Sequence, residues 1–439
     1  MKANIIRVLL MLTPFGCISA QTENTWTLRN AIDYALENNI NVKKNTVARN
    51  ISEESYTQAR ASRFPNLTFS AGETFSHFNR SNEAGEYSSD QSFSEQYRLS
   101  SSVTLFEGFR IKNSIKAQEI ALQNSDLLVE EAKQNIEIAI TESYLQILYA
   151  KDNVRTAELT LETSKAHLEQ GELKYRAGSI AETDYAKLKS QHSNDAYRLV
   201  AAQNALANRI LDFKQLLELG IEENPTLYYP EIADDEVVEL PPSKEEVFEN
   251  AMGWMPQIKS GQNAILAAEY DLLKAKSGLY PSISMSAGIS TGHSSADKER
   301  YFDQLNHNFS QNIGLSLNYN IFSHKEVRTN IKKSEFAIET AKLNAQQDEK
   351  NLLKTVEEVY LNVISSQNRY LAAKEAFDAA EISYRLMQDK FKVGLTNMYD
   401  YIEEKNNYLN AQREFLQAKY ETLLNQKLLD FYQHKPINL

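Results

Sequence analysis

The sequence predicts a mainly helical chain that carries membrane β-hairpins and is built as two tandem structural repeats. Three observations predict it. Phe109 to Ala177 holds a single glycine and no proline, and Val327 to Val393 holds neither. Each of these stretches follows two segments whose apolar residues recur with period two. The chain also matches itself at one constant offset without a gap.

The first twenty residues precede all of this. Lys2 and Arg7 stand before a short apolar run, Val8 to Phe15, and small residues lead to Ala20. This is the layout of a secretory signal peptide, residues 1–20, with Gln21 as the mature start. Cleavage there removes Cys17, the only cysteine, so the mature chain is held by packing and oligomerisation rather than disulfides. A lipoprotein cleaved before Cys17 is the other reading, which Pro14 and Phe15 fit poorly. Removing Lys2 and Arg7 takes the formal net charge from −12 to −14, which argues against nucleic acid and against a basic, anionic-lipid-binding surface. No later stretch reaches about 18 apolar residues, so no transmembrane helix is expected.

The offset of the self-match is 216 residues, placing Pro65 on Pro281 and Ser70-Ala71-Gly72 on Ser286-Ala287-Gly288. Phe106 meets Phe322, and Glu142, Tyr144 and Leu145 meet Glu358, Tyr360 and Leu361. Gly178 meets Gly394, and Asp184-Tyr185 meets Asp400-Tyr401. The expected organisation is a first repeat over 21–218, an acidic linker over 219–242, a second repeat over 243–432 and a tail over 433–439.

Within the first repeat, one helix is expected from Thr27 and Leu28 through Asn38 and a second from Ile40 to about Arg63, where Pro65 ends it. Leu67, Phe69, Ala71 and Phe75 then alternate with Thr68, Ser70, Gly72 and Thr74. After a polar tip, Asn79 to Gln91, Phe93, Tyr97, Leu99, Val103 and Leu105 alternate with serines, Gln96, Arg98 and Thr104. This predicts a hairpin over about 66–106 with strands of about ten residues, the length of a bilayer-spanning strand. The second hairpin is expected over about 282–322, with its tip from His293 to His307 and its last alternating residues Tyr319 and Ile321. One side of each hairpin is serine- and asparagine-rich and almost uncharged, as suits the wall of a wet pore.

Each hairpin leads into a rod roughly 100 Å long at about 1.5 Å per residue. Leu352, Val356, Val359 and Val363 form an apolar stripe on the second rod; Ile136, Ile140, Tyr144, Ile147 and Leu148 form a less regular one on the first. The rods end at Gly178 and Gly394, where positive φ can close a helix, and helices of about forty residues return. Leu219 to Pro242, acidic and proline-rich, joins the halves and is expected to wrap around the outside.

Four strands cannot close a membrane barrel, and an open edge in lipid leaves backbone groups unpaired at several kcal/mol each. Oligomerisation follows if the hairpins are in a membrane. At this point the chain resembles the TolC family of outer-membrane efflux proteins. The residues that carry the likeness are Pro65 and Pro281, the junction Leu105-Phe106-Glu107-Gly108, and the tips that begin at Tyr175 and Phe391. The resemblance implies a homotrimer with a twelve-stranded β-barrel in the outer membrane, continuous with a long α-helical barrel crossing the periplasm. It implies a passive exit duct for a tripartite efflux pump or type I secretion system. The partners would be a periplasmic adaptor (membrane fusion protein) and an inner-membrane transporter of RND or ABC type.

The same resemblance assigns site residues. Asp184, Asp400 and Glu403 match acidic positions that face the lumen near the periplasmic constriction, where trimer symmetry would make each a ring of three. Asp184 and Asp400 equally suit the first turns of the returning helices. Thr396 stands where the family often has an arginine, a departure from the pattern that makes the usual closing salt bridge. Ala177, Gly178, Ser179, Val393, Gly394 and Leu395 are the expected adaptor contacts. The rival readings are a periplasmic or surface coiled-coil protein without a pore, and an enzyme. The sequence has no GxGxxG, P-loop or HExxH, so no catalytic residue, metal or cofactor is expected. His77 and His293 match in the repeat and are read as exposed loop residues.

Overall fold

The computed structural model describes residues 25–439 apart from 82–84, 86, 231, 233–236 and 239, so the expected signal peptide and Cys17 lie outside the described residues. The chain opens with β1 (Thr25–Trp26), α1 (Leu28–Asn38) and α2 (Ile40–Ala61). The strands β2 (Asn66–Ser81) and β3 (Tyr87–Glu107) lead to the first rod, α3 (Arg110–Arg176), and its return, α4 (Glu182–Leu216). Then come β4 (Thr226–Leu227), α5 (Lys244–Trp254), α6 (Pro256–Ser277), β5 (Ser282–Ser294), α7 (Tyr301–His307) and β6 (Ser310–Asn318). The second rod, α8 (Glu326–Lys392), and its return, α9 (Met398–Tyr432), complete the fold.

The bounds of α5, α6, α8 and α9 are those of α1, α2, α3 and α4 displaced by 216 residues. The signals that set those bounds are displaced equally. Thr27 Oγ1 accepts from the Asn30 N–H and Ser243 Oγ from the Glu246 N–H, each capping a first turn. Asn39 and Met255 are extended residues that break α1 from α2 and α5 from α6. Left-handed backbone falls at Gly108 and His324, Phe109 and Lys325, Gly178 and Gly394, and Glu218 and His434. Only half of these positions that turn the chain out of a sheet or close a rod are glycine, so a glycine search finds only some of them.

The two rods are 67 residues each and the return helices 35, a little shorter than the forty expected. Along its sheet-side half α3 packs against α2 and α6, and along its far half against α4. At the joint, Asn39 Nδ2 donates to the Leu216 carbonyl, and Glu218 Oε1 accepts from the Ile40 N–H, so α4 ends where α2 begins. Trp254 Nε1 donates to the Tyr432 carbonyl at the equivalent joint of the second half.

The main core encircles this joint, about 40 Å along the rod from the sheet. Ile136, Ile140, Tyr144, Ile147 and Leu148 of α3 and Leu352, Val356, Val359 and Val363 of α8 are all buried there. The Tyr144 hydroxyl lies 3.2 Å from the Trp26 carbonyl and 2.5 Å from that of Tyr228, fastening the parallel β1–β4 pair to the rod. The linker is more than an outer wrapping. Leu227 and Val237 are buried, and Lys419 and Gln426 of α9 donate to the carbonyls of Ile232 and Val237. Ile437 of the tail is buried as well.

The sheet runs β2-β3-β5-β6, antiparallel throughout, with β2 and β6 at its edges. The first hairpin is longer than its apolar pattern, at 16 and 21 residues. Pairing continues through Arg80↔Ser88 and Ser81↔Tyr87, inside the stretch expected to be an unpaired tip. Side-chain polarity marks where a strand leaves an apolar environment, whereas the ladder is made by backbone groups that every non-proline residue carries. The second hairpin departs differently. Its tip contains the helix α7, and β6 stops at Asn318, short of Ile321. Asn318 pairs with Ser282, the first residue of β5, and Pro281 before it has no N–H to continue the ladder. Among the described residues, no helix is long and apolar enough to cross a membrane.

Gly108 turns the chain from β3 into α3 with φ +54°, and a Cβ there would lie 2.6 Å from the Ser277 carbonyl oxygen. Gly108→Ala is therefore expected to cost roughly 1–3 kcal/mol, read as a lowered unfolding midpoint. His324→Gly, at the equivalent left-handed position, is expected to raise it slightly.

Candidate functional site

The register divides the sheet into two unlike faces. Across β2, β3, β5 and β6, one face carries Leu67, Phe69, Leu99, Val103, Met285, Ile289, Ile313, Leu315 and Leu317. The other carries Thr68, Ser70, Ser100, Ser102, Ser284, Ser286, Asn312, Ser316 and Asn318, with Arg98 and, at the rod end, Glu107 as charges among them. Ile313 is 82% exposed, so within one chain the apolar face is bare. Phe64, Phe109, Tyr280, Tyr319 and Phe322 are exposed around the rod-side margin of the sheet. Aromatic side chains there match the girdle that borders a membrane barrel. Neither outer edge of the sheet has a partner strand among the described residues.

At the far end of the rods, Gly178 and Gly394 adopt φ of +70° and +75°. The Ser179 N–H donates to the Lys174 carbonyl and the Leu395 N–H to that of Lys390, a six-residue closure that ends each rod. Ala177, Gly178, Ser179, Val393, Gly394 and Leu395 are all exposed. Asp184 and Asp400 occupy the first turns of α4 and α9. Asp400 accepts from Asn397 Nδ2 at 2.8 Å, and Asn397 Oδ1 accepts from the Asp400 N–H at 2.9 Å, a reciprocal cap. Asp184 lies 3.9 Å from Lys187, and Glu403 is exposed. Thr396 is half-buried beside them.

His77 and His293 stand in β2 and β5, not in loops. His77 Nε2 is 3.4 Å from Ser89 Oγ, and the His293 ring lies 4.9 Å from that of Tyr301. Among the described residues no group of three or more His, Cys, Asp or Glu is placed to hold a metal ion.

The sequence reading missed a polar cluster inside the wall near the tip. Lys405 of α9 donates to Asp195 of α4 at 2.6 Å, with side chains 2% and 0% exposed. Gln191 Nε2 donates to the other Asp195 oxygen at 3.0 Å, and Arg198 stands 3.9 Å away. Burial pulls the Lys405 pKa below its ordinary value, and the hydrogen bond to Asp195 opposes that pull. Further towards the tip, the His167 ring of α3 packs edge-on against Phe391 of α8 and Tyr401 of α9. The Tyr401 and Tyr384 hydroxyls are 3.1 Å apart. Burial, with help from nearby lysines, lowers the His167 pKa. The available sequence signal was Lys405 itself, which continues the buried face Met398 and Tyr401 at spacings of three and four.

A family model described as "Outer membrane efflux protein" matches residues 31–217 and 248–432. The chain is 24% identical over 433 residues to Outer membrane protein TolC of Escherichia coli (strain K12), covering 95% of this chain and 83% of that one. It is 19% identical over 413 residues to Outer membrane efflux protein BepC of Brucella suis, covering 93% and 85%. Among solved structures, the CmeC outer membrane channel of Campylobacter jejuni superposes with a TM-score of 0.74 at 18% identity, covering 98% and 93%. CusC superposes with a TM-score of 0.78 at 19% identity, covering 93% and 92%.

Lys405→Met alone strands the Asp195 carboxylate in the wall and is expected to cost about 3–5 kcal/mol of stability. Joining it to Asp195→Leu is expected to recover most of that loss, as measured by thermal unfolding of the detergent-solubilised protein. For His167 the folded-state pKa lies below the unfolded value of about 6.5. Stability is then intact above that pH and falls below it, because the unfolded ring protonates while the packed ring resists. His167→Phe is expected to flatten that loss in unfolding scans between neutral pH and pH 5.

Proposed function

The chain belongs to the outer membrane efflux protein family, and we propose that three copies pool their sheets into one barrel that discharges cargo to the exterior. The protein is an outer-membrane exit duct, a transport protein rather than an enzyme. The observation that carries the reading is the open four-stranded sheet, apolar on one face and uncharged-polar on most of the other, with neither edge paired. Three such sheets supply twelve strands, enough to close a membrane barrel. The constant 216-residue offset is the mark of a tandem duplication, which gives each protomer two equivalent helical hairpins for the wall. Twelve rods and return helices then make the α-helical barrel, roughly 100 Å deep. The domain limits follow: a first repeat over 21–218, a linker over 219–242, a second repeat over 243–432 and a tail over 433–439.

In this assembly Asp184, Asp400 and Glu403 form acidic rings at the periplasmic constriction. Asp400 serves its helix cap at the same time, since a carboxylate hydrogen-bonded to Asn397 still carries its charge. Ala177, Gly178, Ser179, Val393, Gly394 and Leu395 receive the tips of a periplasmic adaptor, which links the duct to an inner-membrane transporter of RND or ABC type. Their exposure suits that role. A wall of serine and asparagine gives little selectivity, so the transporter and adaptor choose the cargo. The duct is passive, and its partner supplies the energy.

Purified protein is expected to run as a heat-modifiable trimer and to conduct ions across a planar bilayer. A monomer, or a trimer without conductance, overturns the reading. Asp400→Asn with Glu403→Gln is expected to relieve block by multivalent cations severalfold. Unchanged block removes these two residues from the gate while leaving the duct intact.

A further inference from the structure

Among the described residues the helix α7 has no equivalent in the first hairpin, and it lies on the apolar side of the sheet. The Tyr301 hydroxyl donates to Glu95 Oε2 at 2.8 Å and lies 3.2 Å from the Tyr97 hydroxyl, while Thr291 Oγ1 donates to the Leu305 carbonyl. Glu95, Tyr97 and Thr291 share a face with Leu99, Ile289 and Phe69, as the cross-strand pairs Tyr97↔Thr291, Leu99↔Ile289 and Phe69↔Leu99 require. A helix on that face cannot plug a lumen lined by the opposite one.

The helix is also fixed in place. The buried Gln304 accepts from the Ser294 N–H and donates to the carbonyls of Asp297 and Glu299, and Asn308 donates to the Gly292 carbonyl. The helix sits where polar groups enter the apolar face: Tyr97 and Thr291 pair beyond Leu99 and Ile289, Glu73 and Glu95 pair two residues further on, and the exposed Phe75 and Phe93 follow. From Leu105 to Tyr97 the strand advances about 26 Å at roughly 3.3 Å per residue, which at a barrel tilt of about 40° is a height of about 20 Å, most of a lipid-facing band. Thr291, level with Tyr97, and Glu95 just beyond it would confront the bilayer directly, but the Leu305 carbonyl and the Tyr301 hydroxyl meet them. Outward, α7 presents Phe302, 80% exposed, and Phe309 follows at its end, also exposed.

The geometry points to α7 as an interfacial element: it rests in the boundary between headgroups and acyl chains of the outer leaflet, with Phe302 inserted among the lipids. The occupant is the lipid boundary itself, argued from continuity with the apolar face, and the inference rests on the reading that the sheet spans the outer membrane. The ring-bearing side chains are amphipathic or apolar, as interfacial segments require. The exposed aromatics at the rod-side margin then form the lower girdle, and Tyr97, Tyr301 and Phe302 the upper one.

The test adds a fluorescent reporter to the full-length mature protein reconstituted in phosphatidylcholine vesicles. The native tryptophans, Trp26 and Trp254, are partly buried against the helical core and give the background signal. Phe302→Trp is expected to add emission that lipids brominated near the headgroup end quench at least about twice as strongly as lipids brominated near the chain terminus. Aqueous acrylamide is expected to reach it poorly. Ile313→Trp, in the middle of the band, is expected to show the opposite order of bromolipid quenching. Emission from Trp at 302 that acrylamide quenches freely and neither bromolipid touches, with the 313 reporter still quenched, overturns the inference and leaves the membrane sheet standing. Silence of both reporters towards brominated lipid overturns both.

Discussion

A sheet of four strands has two edges, and in hydrocarbon neither can be left bare. Water satisfies an unpaired backbone N–H or carbonyl at the surface of a soluble protein, but lipid offers nothing in its place. The rest of the structure answers to that constraint. The apolar face of Phe69, Ile289 and Leu315 suits the bilayer, and the free edges of β2 and β6 are what the proposed pooling of three sheets would pair. The wet face needs no special chemistry once the barrel is closed. Serine and asparagine suffice because water within the lumen solvates them.

The second demand is rigidity over a distance. A rod of 67 residues cannot be held by its own propensity, and each rod is covered in two lengths by different partners. The weak point of that arrangement is the seam where α4 ends and α2 begins. The seam is where the core is thickest: Tyr144, Phe213 and Leu217 are buried there, with Val237 of the linker and Ile437 of the tail. Segments that look like connectors by composition act there as packing material. The left-handed Glu218 and His434 at the two seams hold conformations that non-glycine residues rarely adopt. The surrounding contacts hold them there, since each closes its helix through the same six-residue turn as the glycine tips.

Near the tip the logic reverses. Apolar stripes give way to a mixed interior in which Asp195 and Lys405 bridge α4 and α9, and His167 sits among Phe391 and Tyr401. Buried pairs of this kind contribute little net stability, but they specify one register and penalise every other. A wall that must hold its helices in fixed rotation around a pore has a use for that property. Dry, interchangeable leucines would let the return helices slide.

By itself the sequence determined whatever is encoded between near neighbours along the chain. Period-two alternation gave the faces of β2, β3 and β5, and Pro65 and Pro281 gave the starts of their hairpins. Gly178 and Gly394 gave the ends of the rods, and the constant offset gave two equivalent halves. The tertiary structure decided what depends on residues far apart in sequence. The ladder beyond Asn79 continues because its backbone partners lie opposite. The strand before Ile321 stops because Pro281 does not donate. His324 and Lys325 turn the chain in left-handed backbone without a glycine, which no local residue pattern announces. Lys405 is buried because Asp195, some two hundred residues away, is there to meet it. Periodicity records which side of an element faces inward, and it carries no information about what stands on the other side.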